Sequence, residues 1–223
     1  MKKVTLIGDC HTARILEHWN PETCPVAFQA WGKGGTSAWH SDPKILAERM
    51  EKSSATETQP IYVPFRESLF LRFNEIKDQD LIIVWIGYVD ARQYLPKYDN
   101  ADEAIKKCME RFLEYFKGTK VRFMEPLPQF VDMLMKEKGL HEEYSFEQRL
   151  EQNNKVIAAI KKYSKDFGLQ NPITQEQIFK AVGLTQDQLT ADKTPQIGPH
   201  PVDTFQQKYM SKIYDLIIEE AAK

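Results

Sequence analysis

Residues 3–14 read K-V-T-L-I-G-D-C-H-T-A-R: an apolar run from Val4 to Ile7 ends in Gly8-Asp9-Cys10-His11 and passes at once into helical spacing. A buried strand turning directly into a helix is the opening unit of a parallel α/β sheet, because parallel neighbours are joined by crossover helices. The turn presents Cys10 at a helix start, among backbone N–H groups without intrahelical partners and at the positive end of the helix dipole. That setting favours a thiolate and offers donors to a neighbouring oxyanion, so these residues point to acyl chemistry. A small buried cysteine behind a Gly-Asp turn is the competing reading.

Working outward, Val26 to Trp31, Leu81 to Ile86 and Val121 to Met124 are further short apolar runs separated by segments of helical period, the alternation of a parallel sheet covered on both faces. A fifth strand has no clear run between Phe167 and Gly198. Helix starts are marked at Asp42-Pro43, Asn100 with Glu103, Ser145 with Gln148, Thr174 with Gln177, and Asp203 with Gln206, each placing a capping side chain before orphan amides. Ile105, Cys108, Met109, Phe112 and Phe116 form one apolar stripe, and Phe205, Tyr209, Ile213, Leu216 and Ile217 another. Cys108 is thereby a core residue. Residues 53–76 exceed an ordinary helix-to-strand connection and read as a candidate lid or contact surface. Phe65, Leu69, Phe70 and Phe73 within them also fit core spacing.

The chain has 223 residues, enough for one sizeable core, and nothing calls for a second. Thirty basic and 32 acidic residues leave a net charge of -2 without a long single-sign run, which argues against nucleic acid or an anionic membrane as a partner. No apolar segment reaches the length of a membrane span, and the apolar run at the N-terminus is short for a secretory signal. Cys10, Cys24 and Cys108 form no CxxC pair and leave an odd count, which fits a reducing, cytoplasmic compartment.

Four segments, in order, resemble the sequence blocks of the SGNH hydrolases, also called GDSL esterases and lipases, and together they span nearly the whole chain. Gly8-Asp9-Cys10-His11 is similar to the first block, with Cys10 where that family has its nucleophilic serine. Gly32-Lys33-Gly34-Gly35-Thr36 resembles the second, Ile86-Gly87-Tyr88-Val89-Asp90 the third, and Gly198-Pro199-His200-Pro201 the last. Two positions depart from the pattern: Val89 stands where the family has asparagine and Ile197 where it has aspartate. Asp90-Ala91-Arg92 resembles a subgroup whose third block reads G-E-I-D-x-R, which implies an Asp90–Arg92 ion pair at the pocket edge.

The resemblance implies one domain over residues 1–223, a three-layer α/β/α sandwich on a parallel, flavodoxin-like sheet of about five strands. Its site is implied at the carboxyl ends of the strands, where open α/β sheets hold their ligands. It further implies an esterase or thioesterase acting on a small acyl ester or thioester. Cys10 is then the nucleophile, His200 the general base and Gly32 an oxyanion donor with Gly34 the second choice, and Asp90 completes the set. Asp9, His11, Gly34, Tyr88 and Arg92 are the expected substrate-binding residues. His11 and His40 stand on loops beside the first two blocks, where a solvent-exposed histidine is the commoner reading and a substrate contact or second proton carrier the functional one. Asp203 and Asp192 are alternative supports for His200, Asp203 being better explained as a cap. Trp31, Trp39 and Trp85, near strand ends, fit a cleft wall or core equally.

Cys10, His11, His40 and His200 suit zinc in kind, but no pair has a recognised ligand spacing, so neither a metal nor a cofactor is expected. In serine triads a misoriented histidine lowers turnover by about 10⁴ and a lost oxyanion donor by about 10²–10³. A cysteine depends less on the third residue. Val89 and Ile197 therefore also admit an inactive SGNH-like fold acting as a binding or structural protein, in a homo-oligomer or larger assembly.

Overall fold

The computed structural model describes residues 1–15, 18, 20, 22–32, 37–38, 79–91, 95, 99–127, 144–185 and 203–223. In chain order these give β1 (Lys3–Gly8), α1 (Cys10–Ile15), β2 (Ala27–Gly32), β3 (Leu81–Trp85), α2 (Ala101–Tyr115), β4 (Lys120–Met124), α3 (Phe146–Asp166), α4 (Gln175–Val182) and α5 (Asp203–Ala222). The strands form a parallel sheet in the order β2-β1-β3-β4, so the chain starts in the middle, adds one neighbour and then crosses to the other side. In open α/β sheets such a reversal, here between β1 and β3, marks where ligands bind beyond the carboxyl ends of the strands.

The strands are apolar on both sides because both are covered. Val4, Leu6, Phe28, Leu81, Ile83 and Trp85 face a layer made by Ile15 of α1, Ile178 and Val182 of α4, and Met210, Ile213 and Ile217 of α5. Ile7, Ile82, Val84, Val121 and Phe123 face the opposite layer, built from Ile105, Cys108, Met109 and Phe112 of α2, the following Phe116, and Val156 and Ile160 of α3. Both apolar stripes expected from sequence are core where they are described. Each large side chain fully buried in this way contributes about 1.5–3 kcal/mol. On the first layer, Arg122 of β4 donates to the Glu220 carboxylate at 2.9 Å and to the Asn171 carbonyl at 2.8 Å, tying α5 to the sheet.

The described sheet has four strands, and its fifth position is reduced to a single residue. Ile173 bridges Met124 in parallel, donating to Phe123 O at 3.0 Å and accepting from Glu125 N at 2.9 Å. Pro172 before it has no N–H to offer a ladder, and Thr174 after it is already the cap of α4, so no longer strand can form. Ser145 with Gln148 and Thr174 with Gln177 make complete capping boxes. Asn100 does not: it precedes α2 but makes no side-chain cap bond, and Glu103 pairs instead with Lys107 one turn on. Helix α5 begins at Asp203 itself. The starts expected at Asp42-Pro43 and the segment 53–76 lie outside the described residues. Among the described residues no helix is long and apolar enough to cross a membrane.

Candidate active site

Gly8, the last residue of β1, is level with Gly32 of β2 on one side and Trp85 of β3 on the other. The first, second and third sequence blocks therefore begin side by side at the carboxyl ends of the strands. The approach is close enough to require glycine. A Cβ on Gly8 would lie 2.2 Å from the Trp85 carbonyl oxygen and 2.3 Å from Thr12 Oγ1. The chain turns at Asp9, and Cys10 opens α1, as the sequence predicts for a strand-to-helix turn.

Asp9 and His11 close around that turn. One carboxylate oxygen, Asp9 Oδ1, accepts from the His11 backbone N–H at 2.9 Å and faces His11 Nδ1 at 3.0 Å. His11 is a correction to the sequence reading: it is the second residue of α1 and 2 % exposed, not a solvated loop histidine. Its ring is buried by side chains from β3 and the turn beyond, lying 4.8 Å from the Tyr88 ring at 85° and 5.9 Å from the Trp85 ring at 40°. His11 Nε2 is buried and has no hydrogen-bond partner among the described residues.

The third block follows β3. Gly87 adopts φ 110°, a left-handed conformation that β-carbon sterics disfavour, and a Cβ there would also lie 2.8 Å from Val156 Cγ1 of α3. This turn buries Tyr88, Val89 and Asp90. Val89, at the family's asparagine position, brings no side-chain amide. Asp90 Oδ2 accepts from the Ala38 backbone N–H at 2.5 Å, joining the third block to the segment after the second. Burial, with the Asp90 charge adding to it, pushes the Cys108 thiol well up, which suits an inert core cysteine. Trp85 belongs to the core rather than to an open cleft wall, and its Nε1 donates to the Glu125 carbonyl at 3.1 Å.

Of the expected site residues, the structure places Asp9, the Cys10 backbone, His11, Gly32 and Tyr88 at the carboxyl edge, and holds Asp90, beyond β3, against the Ala38 amide. Gly34, Arg92 and His200 lie outside the described residues, as do His40, Trp39, Asp192 and Ile197. Among the described residues no three His, Cys, Asp or Glu side chains are grouped to hold a metal ion. The Asp9–His11 pairing was not read from the sequence, although a D-x-H spacing at a helix start was its signal. Glu125 was also missed. It sits at the carboxyl end of β4, buried, accepting from the Gln175 backbone N–H at 2.6 Å and facing Lys161 Nζ at 3.3 Å.

No protein-family model matches the chain, and no curated protein matches it in sequence. Solved structures do match over almost its whole length. The lipase/acylhydrolase from Enterococcus faecalis aligns with 16% identity and a TM-score of 0.56, covering 99% of this chain and 95% of that one. LAE5, an alpha/beta hydrolase enzyme from the metagenome of Lake Arreo, Spain, aligns with 13% identity and a TM-score of 0.51, covering 99% and 95%. BT4096, a gut microbial diltiazem-metabolizing enzyme, aligns with 12% identity and a TM-score of 0.55; the match covers 99% of this chain but 47% of that protein. At these identities the likeness is one of fold, a parallel α/β sheet flanked by helices that this chain shares with hydrolases.

Proposed function

We propose that the chain hydrolyses small acyl esters or thioesters with Cys10 as nucleophile. The observation that carries this reading is the level ending of β1, β2 and β3, which sets the Cys10 turn between Gly32 and the third block. The likeness in fold to a lipase/acylhydrolase supports the reaction class. In the proposed reaction the thiolate sulfur attacks the acyl carbon, and the N–H groups of Cys10 and Gly32 hold the oxyanion. Collapse expels the alcohol or thiol, which takes the proton that His200 removed from Cys10. Water, deprotonated by His200, then releases the acid from the acyl-cysteine. Val89 and Ile197 set the expectation for rate. With valine at the third-block asparagine position and isoleucine three residues before His200, turnover is slow compared with serine members of the fold.

The test is hydrolysis of a short-chain activated ester and its thioester by wild type, Cys10→Ala, Cys10→Ser and His200→Ala. Cys10→Ala is expected to abolish turnover, and His200→Ala to lower it by about 10²–10⁴. Turnover unchanged in Cys10→Ala refutes the cysteine mechanism. No turnover in any variant would instead favour a binding role for the same fold.

A further inference from the structure

We propose that Asp9 and His11 are the positioning pair of this site, a buried carboxylate–imidazole unit that locks the Cys10 turn to the third-block turn. The role given to Cys10 rests on the hydrolase reading; the pair itself rests on geometry.

Asp9 Oδ1 engages two groups of one residue, the His11 N–H and Nδ1. Because a carboxylate only accepts, Nδ1 carries the proton, and in the neutral ring Nε2 carries the lone pair. The two bonds enclose the Cys10 peptide between a fixed carboxylate and a fixed ring. The ring then meets Tyr88 edge to face across the gap between the ends of β1 and β3, with Trp85 beside it. All four side chains are nearly inaccessible, Asp9 at 2 %, His11 at 2 %, Tyr88 at 6 % and Trp85 at 2 %.

A purely space-filling residue here would be apolar. Histidine instead brings a second ring nitrogen, Nε2, that is buried and has no hydrogen-bond partner among the described residues, so what packs the two turns together here is a polar ring fixed by a carboxylate. Val89 brings no side-chain amide to the third-block turn, and the His11–Tyr88 contact joins that turn to the Cys10 turn by packing. Oxyanion donors act only when held close to the reacting atoms, so a loosened Cys10 amide lowers the chemical step and leaves binding intact.

Two measurements test this. Nitrogen-resolved NMR of the full chain labelled at histidine, with His11 assigned by loss of its signals in His11→Asn, is expected to show a protonated Nδ1 and a bare Nε2. Asp9→Ala is expected to abolish that preference. A wild-type His11 with the proton on Nε2 overturns the pair, whether or not the protein turns over an ester. In kinetics on the activated ester, His11→Phe keeps the ring area but cannot donate to Asp9, and is expected to lower kcat by about 10- to 100-fold with KM within about twofold. His11→Asn, which can restore a donor to Asp9, is expected to recover part of the activity lost in His11→Ala, and the pH profile keeps its shape in all three. A folded His11→Phe with wild-type kcat overturns positioning. Loss of the basic limb of the pH profile in His11→Phe overturns it too, making His11 a proton carrier. If wild type shows no turnover, the hydrolase reading has failed, and the nitrogen spectra still decide the pair.

Discussion

Among the buried carboxylates beyond the carboxyl ends of the strands, Asp9 after β1 and Glu125 after β4 have partners that differ in kind. Glu125 is answered by groups that hold the fold: the first backbone amide of α4 at 2.6 Å and the Lys161 ammonium at 3.3 Å. Around it, the Trp85 indole donates to its carbonyl and its own N–H reaches Ile173, so one residue links β3, β4, the fifth sheet position and α4. Asp9 Oδ1 is answered by the amide and the ring of His11, whose Nε2 has no hydrogen-bond partner among the described residues. A carboxylate that takes the first amide of one helix and faces a lysine of another serves the fold. A carboxylate bonded to both the amide and the ring of the residue next to Cys10 orients an imidazole, and that is the arrangement expected beside chemistry.

The largest effect expected on this contrast comes from removing the close approach that the Asp9 end depends on. Gly8→Ala puts a Cβ 2.2 Å from a β3 carbonyl oxygen, and backbone cannot rotate away as a side chain can. A loss at the upper end of the overpacking range, about 3 kcal/mol, is expected in urea denaturation. Gly118→Ala is its control: φ is +92° but nothing lies within 4 Å of the added Cβ, so only the conformational penalty of about 1 kcal/mol applies. Equal losses would show that the β1–β3 approach has slack.

Glu125→Ala comes next. It leaves the Gln175 N–H and Lys161 without their carboxylate, and a buried charge-assisted bond of this kind is worth about 2–3 kcal/mol. The contrast requires that this loss appear in stability alone. His11 should keep its tautomer, and iodoacetamide should alkylate Cys10 at the wild-type rate. A Glu125→Ala protein that stays fully stable, or that alters Cys10 reactivity, would erase the distinction between the two carboxylates.

How much of this was legible in sequence follows how local each interaction is. The strands β1 to β4 could be read because burial on both faces makes each an apolar run. The boxes at Ser145 and Thr174 could be read because they close within three residues. Asn100 with Glu103 offered the same spacing and failed: Asn100 has φ -129° and ψ 42° where the two working caps are extended, and Glu103 pairs with Lys107 one turn on. The fifth strand was illegible because it is one residue between a proline and a helix cap. His11 was misread as exposed because its cover, Trp85 and Tyr88, comes from a strand and turn far along the chain. Asp90 was expected to pair with Arg92, and what the structure shows for it is the equally non-local bond to the Ala38 amide.

Glu220 sharpens the comparison from the other side, as a second carboxylate held by cations. Burial pushes its carboxyl up, but hydrogen bonds and charge from Lys223 and Arg122 outweigh that and hold it below the ordinary value. A carboxyl lowered in the folded state stabilises the protein above its unfolded pKa, and the stabilisation is lost as pH falls through the folded pKa. Glu220→Gln keeps an acceptor for Arg122 but loses the charge, so a deficit of about 1 kcal/mol is expected at neutral pH. Melting curves of wild type and Glu220→Gln should then converge as the pH is lowered below about 4, where glutamate ordinarily takes up its proton. If the deficit stays constant down to that pH, Glu220 binds Arg122 through geometry alone. The cation-neutralised carboxylates would then not form the structural class to which Glu125 is assigned and from which Asp9 is set apart.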